Sequence, residues 1–306
     1  MQCYLLKSVI QSLLLLLGVL ILVFFMVRIT GDPASLMVPR EASQAQVDAF
    51  RDAMGFNRPL SVQFADFVWG AVRGDFGNSL HYRLPAMDII IQRLPATLEL
   101  ATAALLFAIV IAIPLGIMGG LSPGSPVDSL ARTAGLLGQT MPNFWLALIF
   151  IIFFSVRLGW FPTFGRGGWD SLVLPAVALG LASMGQLVRL TRSAVLEIRG
   201  EDYIRTARSK GLSQQAIAAR HIFRNASLAL VSVIGVQYSY LLGGSIYIET
   251  IFSWPGLGSL LQQAIAGRDF PLVQAIAFTV SLFVIALNLL TDIAYAFIDP
   301  RIRYDS

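Results

Sequence analysis

Few side chains in this sequence are suited to covalent or metal chemistry. Its 306 residues include two histidines, His81 and His221, and one cysteine, Cys3. The histidines fall on opposite sides of the apolar segments described below, so a zinc site built on paired histidines is not expected. No Gly-x-Ser-x-Gly turn presents a serine nucleophile, and Cys3 has no second cysteine to pair with. A phosphate cradle needs Gly-Lys-Ser/Thr, yet Lys7 follows Leu6 and Lys210 follows Ser209. Paired acids within one apolar segment are also missing. What remains is a scatter of polar residues in or beside apolar runs. Glu99, Glu249 and Asp292 stand near their ends, and Gln139, Asn143, Gln186, Gln237, Gln274 and Asn288 lie within them or at their margins. A charge in hydrocarbon is costly, so such residues line a cavity or bond one helix to another. That pattern fits movement of a solute better than its conversion.

The elements that must position these residues are membrane helices. Hydrophobic residues make up 56% of the chain, charged residues 13%, and mean hydropathy is +0.71. Six windows free of Asp, Glu, Lys and Arg follow one another: 8–27, 100–127, 133–156, 171–188, 225–248 and 270–291. Each has at least 18 residues, and a helix needs roughly 20 to cross the hydrocarbon core. The first is about twice the length of a signal-peptide apolar region, and no small-residue cleavage site follows it closely, so it is read as a retained span. The expected class is therefore all-α and polytopic, with six transmembrane helices.

Basic residues set the expected orientation. Lys7, Arg132, Arg301, Arg303 and a basic island at 189–224 share one side, against Arg157, Arg166 and Arg268 in the two short opposite loops. Positive charge near span ends stays cytoplasmic, which places both termini inside.

The island holds eight of the 22 Lys and Arg residues and only three acids. Asp202 to Ser209 reads as a helix with acids at its start and Arg208 and Lys210 at its end, as the helix dipole favours. Gly211 stands where a left-handed residue is wanted, and Ser213 can cap a second helix from Gln214 to Phe223. The result is a compact knob in which Tyr203, Ala207 and Leu212 offer an apolar ridge among arginines. The 28–99 loop is expected to be structured. Ser43 and Gln46 have capping-box spacing ahead of Val47, Phe50 and Met54, and Phe64, Phe67, Val68, Ala71 and Val72 form a second stripe before Gly74. Beyond the fifth window, Glu249 and then Trp254-Pro255-Gly256-Leu257-Gly258 suggest a tight re-entrant turn, because irregular backbone is tolerated at membrane depth only beside protein or water.

A resemblance adds to this reading. The run from Glu201 to Ser213, EDYIRTARSKGLS, followed by RHIFRNASL, is similar to the cytoplasmic loop of binding-protein-dependent ABC importer permeases of the dipeptide, oligopeptide and nickel branch. Gly31-Asp32-Pro33, the run RGDFGNS from Arg73, LPATLEL from Leu94, FSWPGLG from Phe252 and the tail DPRIR from Asp299 resemble that family in the same order. The likeness covers nearly the whole chain and looks like the first of the two permeases such importers use. Ala229 departs from it, standing where proline is common.

The resemblance implies a type I importer permease fold. Residues 1–30 would form the first span, 31–95 an extracytoplasmic insertion, 96–298 a five-helix core with the coupling loop at 189–228, and 299–306 a cytoplasmic tail. The coupling element would be Tyr203, Arg205, Thr206, Ala207, Lys210, Gly211 and Leu212, braced by His221, Arg224 and Asn225. Glu249, Trp254, Pro255, Gly256, Leu257 and Gly258 would form an outer gate that meets a binding protein. Implied partners are a second permease, two cytoplasmic ATPases that hold ATP and Mg, an extracytoplasmic binding protein and lipid. No cofactor on this chain and no nucleic acid are expected. Short peptides are the implied cargo. The alternative is an ion-coupled secondary transporter, whose broken helices would also explain Pro114, Pro142 and Pro175.

Overall fold

The computed structural model describes residues 2–29, 33–38, 42–217 and 222–298. Five helices have the length and composition to cross a bilayer: α1 (Gln2–Ile29), α5 (Ala86–Leu121), α8 (Trp169–Arg199), α11 (Phe223–Ile251) and α13 (Phe270–Ile298). Two of them outrun their windows. α5 begins 14 residues before Leu100, and α8 continues 11 beyond Val188. Much of the basic island is thus the projecting end of a span and not a separate loop.

The third window is bent. α6 (Pro126–Thr140) and α7 (Asn143–Phe150), which runs on as a π-helical turn at Ile151–Arg157, meet at 101°. Pro142 supplies the reason: it has no N–H to continue α6 and drives Met141 into the extended region, at ψ 127°. The pair still crosses. Asp128 at its start pairs with Arg192 and lies beside Gly119, whereas Arg166 beyond its end reaches Glu99. Gly119 and Glu99 are separated along α5 by about 30 Å at 1.5 Å per residue, the thickness of the hydrocarbon core.

Small residues hold these elements together. Ala104, Ala108, Ala112, Gly116 and Gly120 recur every four residues on α5, and the three alanines are fully buried. A Cβ on Gly116 would lie 2.6 Å from Thr191, and one on Gly120 2.6 Å from Val195. On α8, a Cβ at Gly180 would meet the Ala104 carbonyl oxygen at 2.5 Å. Gly135 and Gly138 let α6 approach α8 in the same way. In lipid, where apolar contact alone gives no preference for protein over solvent, such close backbone approach is a main source of helix association. Gly243 takes no part in this packing, since nothing lies within 4 Å of its would-be Cβ.

The segment between α1 and α5 carries α2 (Pro33–Met37), α3 (Gln44–Ala53) and α4 (Leu60–Arg73). The capping box at Ser43 and Gln46 is formed. α4 ends at Gly74 in the left-handed conformation, with N–H bonds from Gly74 to Ala71 and from Asp75 to Gly70. Phe64 and Phe67 pack on Phe24 of α1, at 5.2 and 5.7 Å between centroids. Val72, assigned to that stripe by spacing, instead faces out at 72% exposure.

Candidate functional site

The turn after α11 is organised by one acid. Glu249 is fully buried. Thr97 Oγ1 and Ser245 Oγ donate to its Oε1 at 2.8 and 3.0 Å, and the N–H groups of Gly258 and Ser259 donate to Oε2 at 2.7 and 3.0 Å. Those two residues are the second and third of α12 (Leu257–Ala266), a helix whose N-cap, Gly256, has no side chain to cap it, so the carboxylate supplies the acceptor. The first N–H, from Leu257, donates to Thr97 Oγ1 at 2.7 Å. The glycines make this approach possible: a Cβ on Gly256 would sit 2.5 Å from the carboxylate, and one on Gly258 2.6 Å from Ile246 Cα. Trp254 closes the assembly, 1% exposed, donating its Nε1–H to the Ala96 carbonyl at 2.8 Å.

This geometry changes what the motif offers. Glu249, Trp254, Gly256, Leu257 and Gly258 are all buried, and only Pro255 is partly open. Four hydrogen bonds and a tryptophan side chain turn them inward. Open groups at this end include Glu99 and Arg166, which pair through Arg166 Nε and Nη2 at 2.8 and 2.6 Å. The RGDFGNS run plays a parallel role. Ser79 Oγ donates to Asp269, which also accepts from the N–H groups of His81 and Leu272 and so fastens the α4–α5 connection to the start of α13.

The second candidate is the knob. α9 (Asp202–Ser209) and α10 (Gln214–Ile217) flank Gly211 at φ 79°. Gly211 N–H bonds Arg208 and Leu212 N–H bonds Ala207, the two reverse bonds of a Schellman end, and Ser213 Oγ accepts from Ala216 N–H. The expected ridge is not where spacing placed it. Ala207 and Leu212 turn inward with Ile204, Ile217, Ile222 and Val195, against Ile117 and Leu121 of α5. Ile204, which the ridge omitted, is fully buried. Tyr203, Arg205, Thr206, Lys210 and Gly211 are exposed, Arg205 pairing with Asp202 at 3.2 Å. His221 and the tail at 299–306 lie outside the described residues, as do the side chains of Arg224 and Asn225.

At the same end of the spans, Asp128 is 1% exposed and is held by Arg192 and, at 3.5 Å, by Arg132. Neither Asp128 nor Arg192 was singled out by the sequence, because their pairing spans 64 positions. Also unanticipated is a face on α11 where Val236, Tyr240, Gly243 and Tyr247 are all exposed. Its three-to-four-residue spacing was the available signal. Tyr240 stands about 16 Å below the end of α11 at helical rise, near mid-bilayer depth, and its hydroxyl has no partner among the described residues.

Comparison with known proteins fits this architecture. Residues 112–304 match the family described as binding-protein-dependent transport system inner membrane component, and residues 1–101 match the N-terminal part of such membrane components. The chain belongs to that family. A Brucella abortus protein named for a peptide transport system permease is 41% identical over the full length of both chains. The oligopeptide transport system permease protein AppB of Bacillus subtilis is 37% identical, covering 99% of this chain and 100% of its own. The glutathione transport system permease protein GsiC of Escherichia coli K12 is 38% identical, over 98% of this chain and 99% of its own. A solved chain from the MetNI methionine ABC transporter, in an inward-facing conformation, superposes with a TM-score of 0.58 at 20% identity, covering 70% of this chain and 97% of its own. This permease is thus a multi-pass inner-membrane protein built on the helical fold of ABC importer permeases.

Proposed function

We propose that this permease forms one half of the pathway of an importer for short peptides or related small solutes, with a second, related permease forming the other half. An extracytoplasmic binding protein delivers the cargo, and two cytoplasmic ATPases that bind ATP and Mg supply the energy. The observation that carries the reading is the knob: a glycine elbow with an exposed cationic face, packed through its own small core onto the ends of α5 and α8. Force applied to it reaches two spans directly. The chain itself has no phosphate-binding loop. The exposed α11 face through Tyr240 and Gly243 is assigned to the pathway, since an unbonded hydroxyl facing hydrocarbon is costly.

The test separates docking from folding. Ala207 is unsuitable, because Ala207→Asp buries a charge in the core of the knob itself. Arg205→Glu combined with Lys210→Glu changes only the exposed face. The doubly substituted permease is expected to reach the membrane at normal levels but to lose ATPase subunits on purification and to lose import. Retention of both ATPases and of import would remove the knob from the coupling role.

A further inference from the structure

We propose that this permease carries a phospholipid site at Arg268, with the lipid phosphate on the guanidinium and an acyl chain in the groove beside it. Arg268 lies two residues before the span that opens at Phe270, which is headgroup depth. Next to it a groove of about 490 Å³ is lined by Met26 of α1, Leu261 and Ile265 of α12, and Phe270, Val273 and Ala277 of α13. Apart from Arg268 the lining is entirely apolar. Ile265, at 59% exposure, and Met26, at 41%, leave the groove open on its outer side.

Two independent observations mark the arginine. Its side chain is exposed and has no hydrogen-bond or ion-pair partner among the described residues. Its backbone is also in the left-handed region, at φ 53°. Arg268 N–H bonds Ile265 and Asp269 N–H bonds Ala264, so Arg268 occupies the helix-end position that glycine fills at Gly74 and Gly211. A side chain there costs about 1 kcal/mol or more, and the backbone would be relaxed by glycine, the residue type at the preceding position. A strained arginine with nothing of its own chain to bind points to a ligand outside the chain. The chemistry it presents suits an anion: a planar fork of donors that meets a phosphodiester with two hydrogen bonds. An anion joined to a hydrocarbon chain fits both halves of the site, and in a membrane that is a phospholipid.

The backbone strain makes the test clean, because Arg268→Gly removes the ligand group while relaxing the fold. The full transporter complex is purified in detergent with wild-type permease, Arg268→Gly, or Ile265→Trp, which fills the groove and keeps the arginine. Retained phospholipid is counted by native mass spectrometry, and the thermal midpoint is followed as phosphatidylglycerol is added. Wild type is expected to retain one more phospholipid than either variant and to be stabilised by phosphatidylglycerol. Loss of one charge-assisted hydrogen-bonded pair corresponds to about tenfold weaker binding in Arg268→Gly, whose midpoint without lipid equals or exceeds that of wild type. Equal lipid counts and equal lipid response in all three would overturn the site. So would a photo-crosslinker at Ile265 that captures another subunit of the complex, since protein and not lipid would then cover the groove.

Discussion

At the scale of single residues, Glu249 carries the most structural consequence. Four donors from three helices converge on it, and two of them are backbone groups that cannot turn elsewhere. Glu249→Ala therefore leaves several buried polar groups unsatisfied, each costing about 1–3 kcal/mol. Gly258→Ala forces a Cβ to within 2.6 Å of Ile246 Cα and moves the same N–H away from the same oxygen. The expected loss is about 3–5 kcal/mol for Glu249→Ala, from the buried donors left without an acceptor, and about 1–3 kcal/mol for Gly258→Ala. Because the two changes break one network, the double variant is expected to lose clearly less than their sum. Unfolding of the detergent-solubilised permease followed in a double-mutant cycle checks this, and strict additivity would dissolve the network. Glu249 and the WPGLG run were visible in the sequence as neighbours. That the acid caps α12 was not, because the decisive third partner, Thr97, lies 152 positions away and leaves no local pattern.

At the scale of elements, what the sequence disclosed depended on whether the cause was local. The capping box at Ser43, the helix from Asp202 to Ser209, the turn at Gly211 and the cap at Ser213 all follow from contacts within a few residues, and all are present. The inward turn of Ala207 and Leu212 required knowing that α5 and α8 end beside the knob. The bend at Met141 and Pro142 was legible in principle, since proline excludes its predecessor from the helical region, but counting uncharged residues passes over it. The recurrence of Ala and Gly at every fourth position of α5 was equally open to reading and is the packing seam of the fold. Gly211 gives the prediction at this scale. Its φ of 79° and empty surroundings mean that Gly211→Ala adds strain but no clash. It should cost about 1 kcal/mol and leave the permease in the membrane, with ATPase stimulation by substrate reduced but measurable. Gly211→Asp should reduce it further, by adding a negative charge that partly neutralises the cationic face. Unchanged stimulation in both variants would mean that the elbow transmits nothing.

At the scale of the whole molecule, function depends on which way the bundle sits. The geometry fixes relative sides. The knob, the Asp128–Arg192 pair and the end of α5 at Leu121 share one end, while Glu99, Arg166 and the Glu249 turn share the other. The bent pair crosses between them, which makes the number of crossings even and returns α13 to the knob's end. The long connection that carries α3 and α4 departs from the opposite end, where Phe24 and Arg28 of α1 meet Phe64 and Gln63. From the charge bias we expect the knob's end in the cytoplasm, since moving its arginines across the membrane is opposed. With Cys3 replaced, a cysteine at Ser213, which is exposed in the knob, should react in intact cells with a membrane-permeant thiol reagent and resist an impermeant one. A cysteine at Ser43, ahead of α3, should react with both. The two sites must differ, because they lie at opposite ends of one bundle. Impermeant labelling at Ser213 with protection at Ser43 would invert the molecule and deny the knob any cytoplasmic partner, and equal labelling at both would remove a crossing and undo the bent span.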